Sequence, residues 1–126
     1  MNKVLIIEDE ISLQDLYADF LREAGFNVST ASDGDKAIEL INNSDWDILL
    51  LDIMLPKLDG TEVLKRVKAD PTLKSKPVIV LSNLESDQIV KECLDLGARE
   101  FLIKSDITPQ TILDVVSKYL PPLPQA

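Results

Sequence analysis

The sequence contains no histidine. That removes histidine general-base catalysis, histidine metal ligands, and any role as a carrier of phosphohistidine. It contains one cysteine, Cys93, so no intramolecular disulfide forms. A single thiol fits a reducing compartment. No apolar run approaches the roughly 20 residues needed to span a bilayer. Met1-Asn2-Lys3-Val4 lacks the charged and apolar regions of a signal peptide. The expectation is a cytoplasmic protein with no membrane partner. Positive charge is also scarce: 13 basic against 22 acidic residues leave a net charge of −9. A surface that acidic is a poor partner for a phosphate backbone, so direct nucleic-acid binding is disfavoured and a cation site is favoured.

What is present is ample apolar material, 45% of 126 residues, enough for one core and one domain. It is distributed as short runs. Val4-Leu5-Ile6-Ile7 ends in Glu8-Asp9-Glu10. Asn27 to Ala31 alternates, with Val28 inward. Ile48-Leu49-Leu50-Leu51 ends in Asp52, Val78-Ile79-Val80-Leu81 ends at Ser82, and Phe101-Leu102-Ile103 ends at Lys104. Short apolar runs bounded by polar or turn residues read as strands, and Ile48 to Leu51 as one buried on both faces.

Helical spacing fills the gaps. Leu13, Leu16, Tyr17, Phe20 and Leu21 predict one helix, stopped by Gly25. Ala37, Ile38, Leu40 and Ile41 predict a second after the turn Asp33-Gly34, ending near Asn42-Asn43. Val63, Leu64 and Val67 predict a third after the turn Asp59-Gly60, closing before Pro71. Ile89, Val90, Cys93, Leu94 and Leu96 predict a fourth, stopped by Gly97. Thr108-Pro109 starts a fifth carrying Ile112, Val115, Val116 and Tyr119. Five strand–helix units imply a doubly wound parallel sheet with helices on both faces and right-handed crossovers. Residues 1–120 read as the domain, and 121–126, rich in proline, as a linker stub. Cys93 and Trp46 read as packing residues. Asp87, Lys91 and Glu92 point outward from the fourth helix.

In such a sheet the polar strand ends share one edge, and chemistry gathers there. Glu8, Asp9 and Asp52 would repel one another unless a cation sat among them. Oxygen ligands without histidine or cysteine select a hard ion, Mg²⁺ before zinc. Lys104 adds a point charge and Ser82 a hydroxyl, both suited to the oxygens of a transferring phosphoryl group. Asp52 is then the nucleophile that forms an acyl phosphate. Each residue also has an ordinary reading, as a cap, a turn residue or a solvated charge; the joint arrangement is what points to chemistry.

Taken together, Glu8-Asp9, the segment Asp52-Ile53-Met54-Leu55-Pro56-Lys57-Leu58-Asp59-Gly60, Ser82 and Lys104 make the chain resemble a receiver domain of two-component response regulators, similar to the single-domain chemotaxis regulators. The resemblance runs from Lys3 to about Leu120. It implies a flavodoxin-like fold with strand order 2-1-3-4-5 and five flanking helices. It implies that Asp52 accepts phosphate from a phosphohistidine on a sensor histidine kinase or phosphotransfer protein, and that the domain is not an enzyme on an external substrate. Mg²⁺ would be served by Glu8 (through water), Asp9, Asp52 and the backbone carbonyl of Met54. Ser82 and Lys104 would contact the phosphoryl oxygens. Phe101 matches the family's switch aromatic, and the surface of the fourth helix, fifth strand and fifth helix would change shape for an output partner that the sequence does not name.

The chain departs from the family pattern at Ser105, where proline usually follows the lysine, often after a cis bond. A cis bond to a non-proline residue costs about 3 kcal/mol, so the bond is either strained or trans with a shifted loop. Asn83 replaces a smaller residue and would narrow access to Asp52. Met54 and Leu84 flank the phosphoryl position with apolar side chains that cannot orient a water, which predicts slow self-dephosphorylation. Two other readings stand beside this one. A degenerate receiver would bind its partner without phosphorylation. A small-molecule aspartyl phosphatase would need a second aspartate where Met54 stands.

Overall fold

The computed structural model describes residues 2–55, 59–83 and 86–120. Pro56, Lys57 and Leu58 of the Asp52 segment, Leu84, and the tail 121–126 lie outside the described residues. The elements run β1 (Lys3–Ile7), α1 (Ile11–Glu23), β2 (Asn27–Ala31), α2 (Gly34–Asn43), β3 (Ile48–Asp52), α3 (Gly60–Ala69), β4 (Val78–Ser82), α4 (Asp87–Asp95), β5 (Glu100–Ile103), a single 3₁₀ turn (Lys104–Asp106) and α5 (Pro109–Tyr119). The strands form one parallel sheet in the order β2-β1-β3-β4-β5. No helix among the described residues is long and apolar enough to cross a membrane.

Every residue of β3 and β4 is buried. Their runs are apolar throughout because each face of the sheet has its own core. Leu5, Ile7, Leu49, Leu51, Val78 and Val80 pack with Ala37 and Ile41 of α2, Val63, Leu64 and Val67 of α3, and Cys93 of α4. The alternate residues Val4, Ile6, Ile48, Leu50, Ile79 and Leu81 pack with Tyr17, Ala18 and Leu21 of α1 and with Ile112 and Val116 of α5. Successive side chains of a strand point to opposite faces, so each run feeds both cores. Trp46 lies under the first core with its indole N–H donating to the Ile41 carbonyl at 3.1 Å.

Three expectations are corrected. Leu16, assigned to the apolar face of α1, is 48% exposed; the buried stripe is Gln14, Tyr17, Ala18 and Leu21. Leu94, counted with the apolar residues of α4, is 44% exposed, and Cys93 is the buried residue of that helix. The pairs Asp33-Gly34 and Asp59-Gly60 are helix starts: Asp33 Oδ1 accepts from the Lys36 amide and Asp59 Oδ1 from the Thr61 amide, both at 2.9 Å. Aspartate satisfies the orphan N–H groups of a first turn, so an Asp-Gly signal serves a helix N-cap as well as a turn. Gly60 is also sterically required, since a Cβ there would lie 2.8 Å from the Ile53 carbonyl oxygen. Thr108 caps α5 reciprocally with Thr111, as Thr108-Pro109 predicts. Gly25 and Gly97 stop α1 and α4 with φ of 100° and 110°.

Candidate functional site

The sheet order places the site. After β1 the chain moves outward to β2, then returns to the other side of β1 as β3. The carboxyl ends of β1 and β3 therefore lie side by side where the winding reverses, which is where open α/β sheets form their binding crevice. Register sets Ile7 beside Leu51. The next residues are Glu8 and Asp52, and Glu8, Asp9 and Asp52 offer carboxylate oxygens all within 4.8 Å of one another. β4 sets Leu81 beside Asp52, and β5 sets Ile103 beside Ser82. The strand ends thus bring Ser82 and Lys104 to the same edge.

Asp52 and Glu8 are buried, while Asp9 is exposed. Asp52 Oδ1 accepts from the Met54 amide at 2.9 Å, and Asp52 Oδ2 faces the Lys104 ammonium at 3.3 Å. The same ammonium stands 2.6 Å from Glu8 Oε1. That contact is an ion pair, and buried Glu8 Oε1 makes no hydrogen bond of good geometry among the described residues. Glu8 Oε2 accepts from the Glu10 amide at 3.2 Å.

The charges bear on one another strongly. Burial, together with hydrogen bonding to and repulsion from Asp52, pushes the Glu8 carboxyl up from 4.5 to about 7 against the pull of Lys104. Asp9 moves the other way: its slight burial opposes ionisation, but hydrogen bonding with Asp52 and Glu8 and the field of Lys104 hold it below 3.8. Burial works against the Lys104 charge too, and the two carboxylates override it, raising its pKa. One buried cation serves two buried carboxylates with a third at the rim, so the cluster retains excess negative charge.

This donor set fits a hard divalent cation. The candidate donors are carboxylates alone, the single Lys104 ammonium is shared between the two buried ones, and the third carboxylate lies open to solvent. The cluster is able to hold a metal ion, and its oxygen chemistry selects Mg²⁺-like ions.

The remaining expected residues distribute as follows. Ser82 is buried at the end of β4 and Phe101 is half-buried in β5, packed against the core on the α3–α4 side. Met54 is 55% exposed beside Asp52. Leu84 is outside the described residues. Among the described residues there is no cis peptide bond, so Lys104–Ser105 is trans, and the chain leaves β5 through the 3₁₀ turn while still delivering Lys104 to both carboxylates. Asn83 is exposed, and its Oδ1 accepts from the Ser105 amide at 3.0 Å. It ties the loop after β4 to the loop after β5. A proline at 105 has no N–H to donate, so the two departures from the family pattern form one contact. Cys93 is an inert packing residue; burial raises its thiol to about 11.

Sequence reasoning missed Gln14. It is 6% exposed, and its Nε2 donates to the carbonyls of Glu8 and Ala31, both at 3.0 Å. The available signal was its spacing: Gln14 stands three, four and seven residues before Tyr17, Ala18 and Leu21, a polar residue on an apolar stripe.

Comparisons with known proteins agree with this geometry. The sequence profile of the response regulator receiver domain matches residues 4–117. The sensory transduction protein RegX3 of Mycolicibacterium smegmatis is 40% identical over 104 residues, covering 82% of this chain and 44% of its own length. The chain thus spans less than half the length of curated relatives such as RegX3. The chemotaxis response regulator CheY4 of Vibrio cholerae superposes with a TM-score of 0.87 at 30% identity, over 95% of this chain and 99% of that one. The phosphorylated cyanobacterial phytochrome response regulator RcpA superposes with a TM-score of 0.80 at 32% identity, over 93% of this chain and 89% of that one. A matched profile over nearly the whole chain, a shared fold and a carboxylate cluster at the switch point of the sheet lead to one conclusion: this chain belongs to the response regulator receiver domain family of two-component signalling.

Proposed function

We propose that this domain takes a phosphoryl group onto Asp52 from a phosphohistidine of a sensor histidine kinase or phosphotransfer protein, in the cytoplasm, and passes the signal to an output partner through the surface of α4, β5 and α5. The observation that carries the proposal is the buried Asp52 carboxylate, held by the Met54 amide at 2.9 Å and faced by Lys104 at 3.3 Å beside two further carboxylates. In the transfer, an Asp52 oxygen forms the new P–O bond while the P–N bond to the donor imidazole breaks and the imidazole leaves. Lys104 offsets charge on the phosphoryl oxygens, and the Ser82 hydroxyl donates to one of them.

Glu8, Asp9, Asp52 and the Met54 carbonyl are the residues that would hold Mg²⁺, Glu8 through water. A bound Mg²⁺ supplies positive charge that neutralises phosphoryl oxygens. Ser82, drawn toward the new acyl phosphate, vacates space that Phe101 fills, and the α4–β5–α5 surface changes shape. Met54 is apolar and exposed next to Asp52 and orients no water, so the acyl phosphate is long-lived.

Intact mass after incubation with acetyl phosphate and Mg²⁺ tests this reading. The expected result is a gain of one phosphoryl group, lost in Asp52→Asn and without metal. A folded wild type that gains nothing in Mg²⁺ overturns the proposal in favour of a phosphorylation-independent binding module.

A further inference from the structure

Among the described residues the buried polar side chains are Glu8, Gln14, Asp52, Thr61 and Ser82. Glu8, Asp52 and Ser82 belong to the acidic edge, and Thr61 donates its hydroxyl to the helix-capping Asp59 at 2.8 Å. Gln14 has no part in the chemistry described so far. Burying an amide costs free energy unless its hydrogen bonds are made, and an apolar side chain on the stripe of Tyr17, Ala18 and Leu21 would avoid that cost. The position therefore calls for an explanation.

The explanation lies in what Gln14 grips. The Ala31 carbonyl, at the end of β2, accepts from the Glu8 amide at 3.0 Å and from Gln14 Nε2 at 3.0 Å. The Glu8 carbonyl accepts from the same Nε2 at 3.0 Å. Glu8 is thus held on both sides of its backbone: its N–H by β2, its C=O by α1. The Glu8 carbonyl belongs to the peptide unit that joins Glu8 to Asp9, and that unit is planar. Fixing the carbonyl fixes the plane from which Asp9 departs. Asp9 is exposed, so little packing steers its side chain; its backbone sets the direction from which the carboxylate approaches Glu8 and Asp52.

We infer that Gln14 is a positioning residue for the acidic pair, aiming Glu8 and Asp9 at a divalent cation by clamping the Glu8–Asp9 peptide to the end of β2. The inference rests on the receiver reading above and deepens it. Groups that orient metal ligands are worth about 10- to 100-fold in metal affinity. Gln14→Met keeps the length and suits the buried stripe, but it donates nothing to either carbonyl.

The test compares wild type with Gln14→Met in three measurements: calorimetric titration with Mg²⁺, the Mg²⁺ dependence of phosphorylation by acetyl phosphate, and thermal unfolding without metal. Gln14→Met should raise the half-saturating Mg²⁺ concentration about tenfold in both titrations, with the phosphorylation rate at saturating Mg²⁺ within about twofold of wild type. A lowered unfolding temperature with an unchanged Mg²⁺ midpoint is the signature of a purely structural glutamine and overturns the inference. If Gln14→Met does not fold, the ¹⁵N spectrum of the wild type decides. The Gln14 side-chain amide should exchange slowly and shift on adding Mg²⁺; an amide signal indifferent to Mg²⁺ overturns the inference. A wild type that binds no Mg²⁺ overturns the receiver reading and this inference together, whereas a Gln14→Met that binds as tightly as a Mg²⁺-binding wild type overturns this inference alone.

Discussion

Metal-free, this domain should lose stability as the pH rises through neutrality, and Glu8 is the reason. Its carboxyl is buried and beside Asp52, and its pKa is raised from 4.5 to about 7. A folded-state value above the unfolded one means that the folded protein holds the proton more tightly. The corresponding stability is fully present below pH 4.5 and is lost as the pH climbs through about 7. At about 1.4 kcal/mol per pH unit the loss amounts to about 3 kcal/mol. For a chain of this size that is roughly 10 °C in unfolding temperature. The window is unusually clean because the chain has no histidine. Asp9 is held below 3.8 and Lys104 above 10.5, so both titrate outside it. The assay is calorimetric unfolding in EDTA from about pH 5 to about pH 8, repeated on Glu8→Gln and again with Mg²⁺. Wild type should fall with pH, Glu8→Gln should stay flat and exceed wild type at the alkaline end, and Mg²⁺ should restore wild type by binding the ionised cluster. A metal-free wild type whose stability is flat or rises across this range would refute the assignment, as would a Glu8→Gln variant that keeps the wild-type slope.

Three further outcomes are expected. Gly60→Ala places a methyl group 2.8 Å from the Ile53 carbonyl oxygen and closer still to the Ile53 Cα, so urea unfolding should show a loss of about 2 kcal/mol or more; wild-type stability would contradict the packing described. Asn83→Ala should cost about 0.5–1 kcal/mol in the wild type and close to nothing in a Ser105→Pro background, because both remove the same hydrogen bond; additive effects in this double-mutant cycle would show that the Asn83–Ser105 contact carries no energy. Met54→Gln should shorten the lifetime of the acyl phosphate on Asp52, read as loss of the added mass with time, because its amide can orient an attacking water; equal lifetimes would sink the account of slow dephosphorylation.

Much of the architecture was legible in the chain itself. Four apolar runs and one alternating segment, separated by helical periodicity, specify strand–helix repeats, and the polar residue closing each of the four runs marks the edge where Glu8, Asp52, Ser82 and Lys104 meet. That inference holds because parallel strands share one carboxyl edge whatever their order. The side of each helix was less legible. Leu16 and Gln14 differ by two positions on α1, and hydrophobicity alone puts Leu16 inside. The structure reverses them, because Gln14 finds two carbonyls at the ends of β1 and β2 that a leucine would leave without that donor.

Composition and pattern by themselves determined the class of fold, the edge that carries chemistry and the hard-cation character of its ligands. Only the tertiary structure decided the rest. The first four residues of β3 and of β4 are all apolar, so no alternation in them reveals which helices cover which face; that is settled by α1 and α5 packing on one side and α2, α3 and α4 on the other. The pairing of Lys104 with Glu8 and Asp52, the trans path through Ser105 and its tie to Asn83 join residues far apart in the chain. Such contacts depend on strand register and loop path, which side-chain packing fixes in three dimensions and no local stretch of sequence encodes.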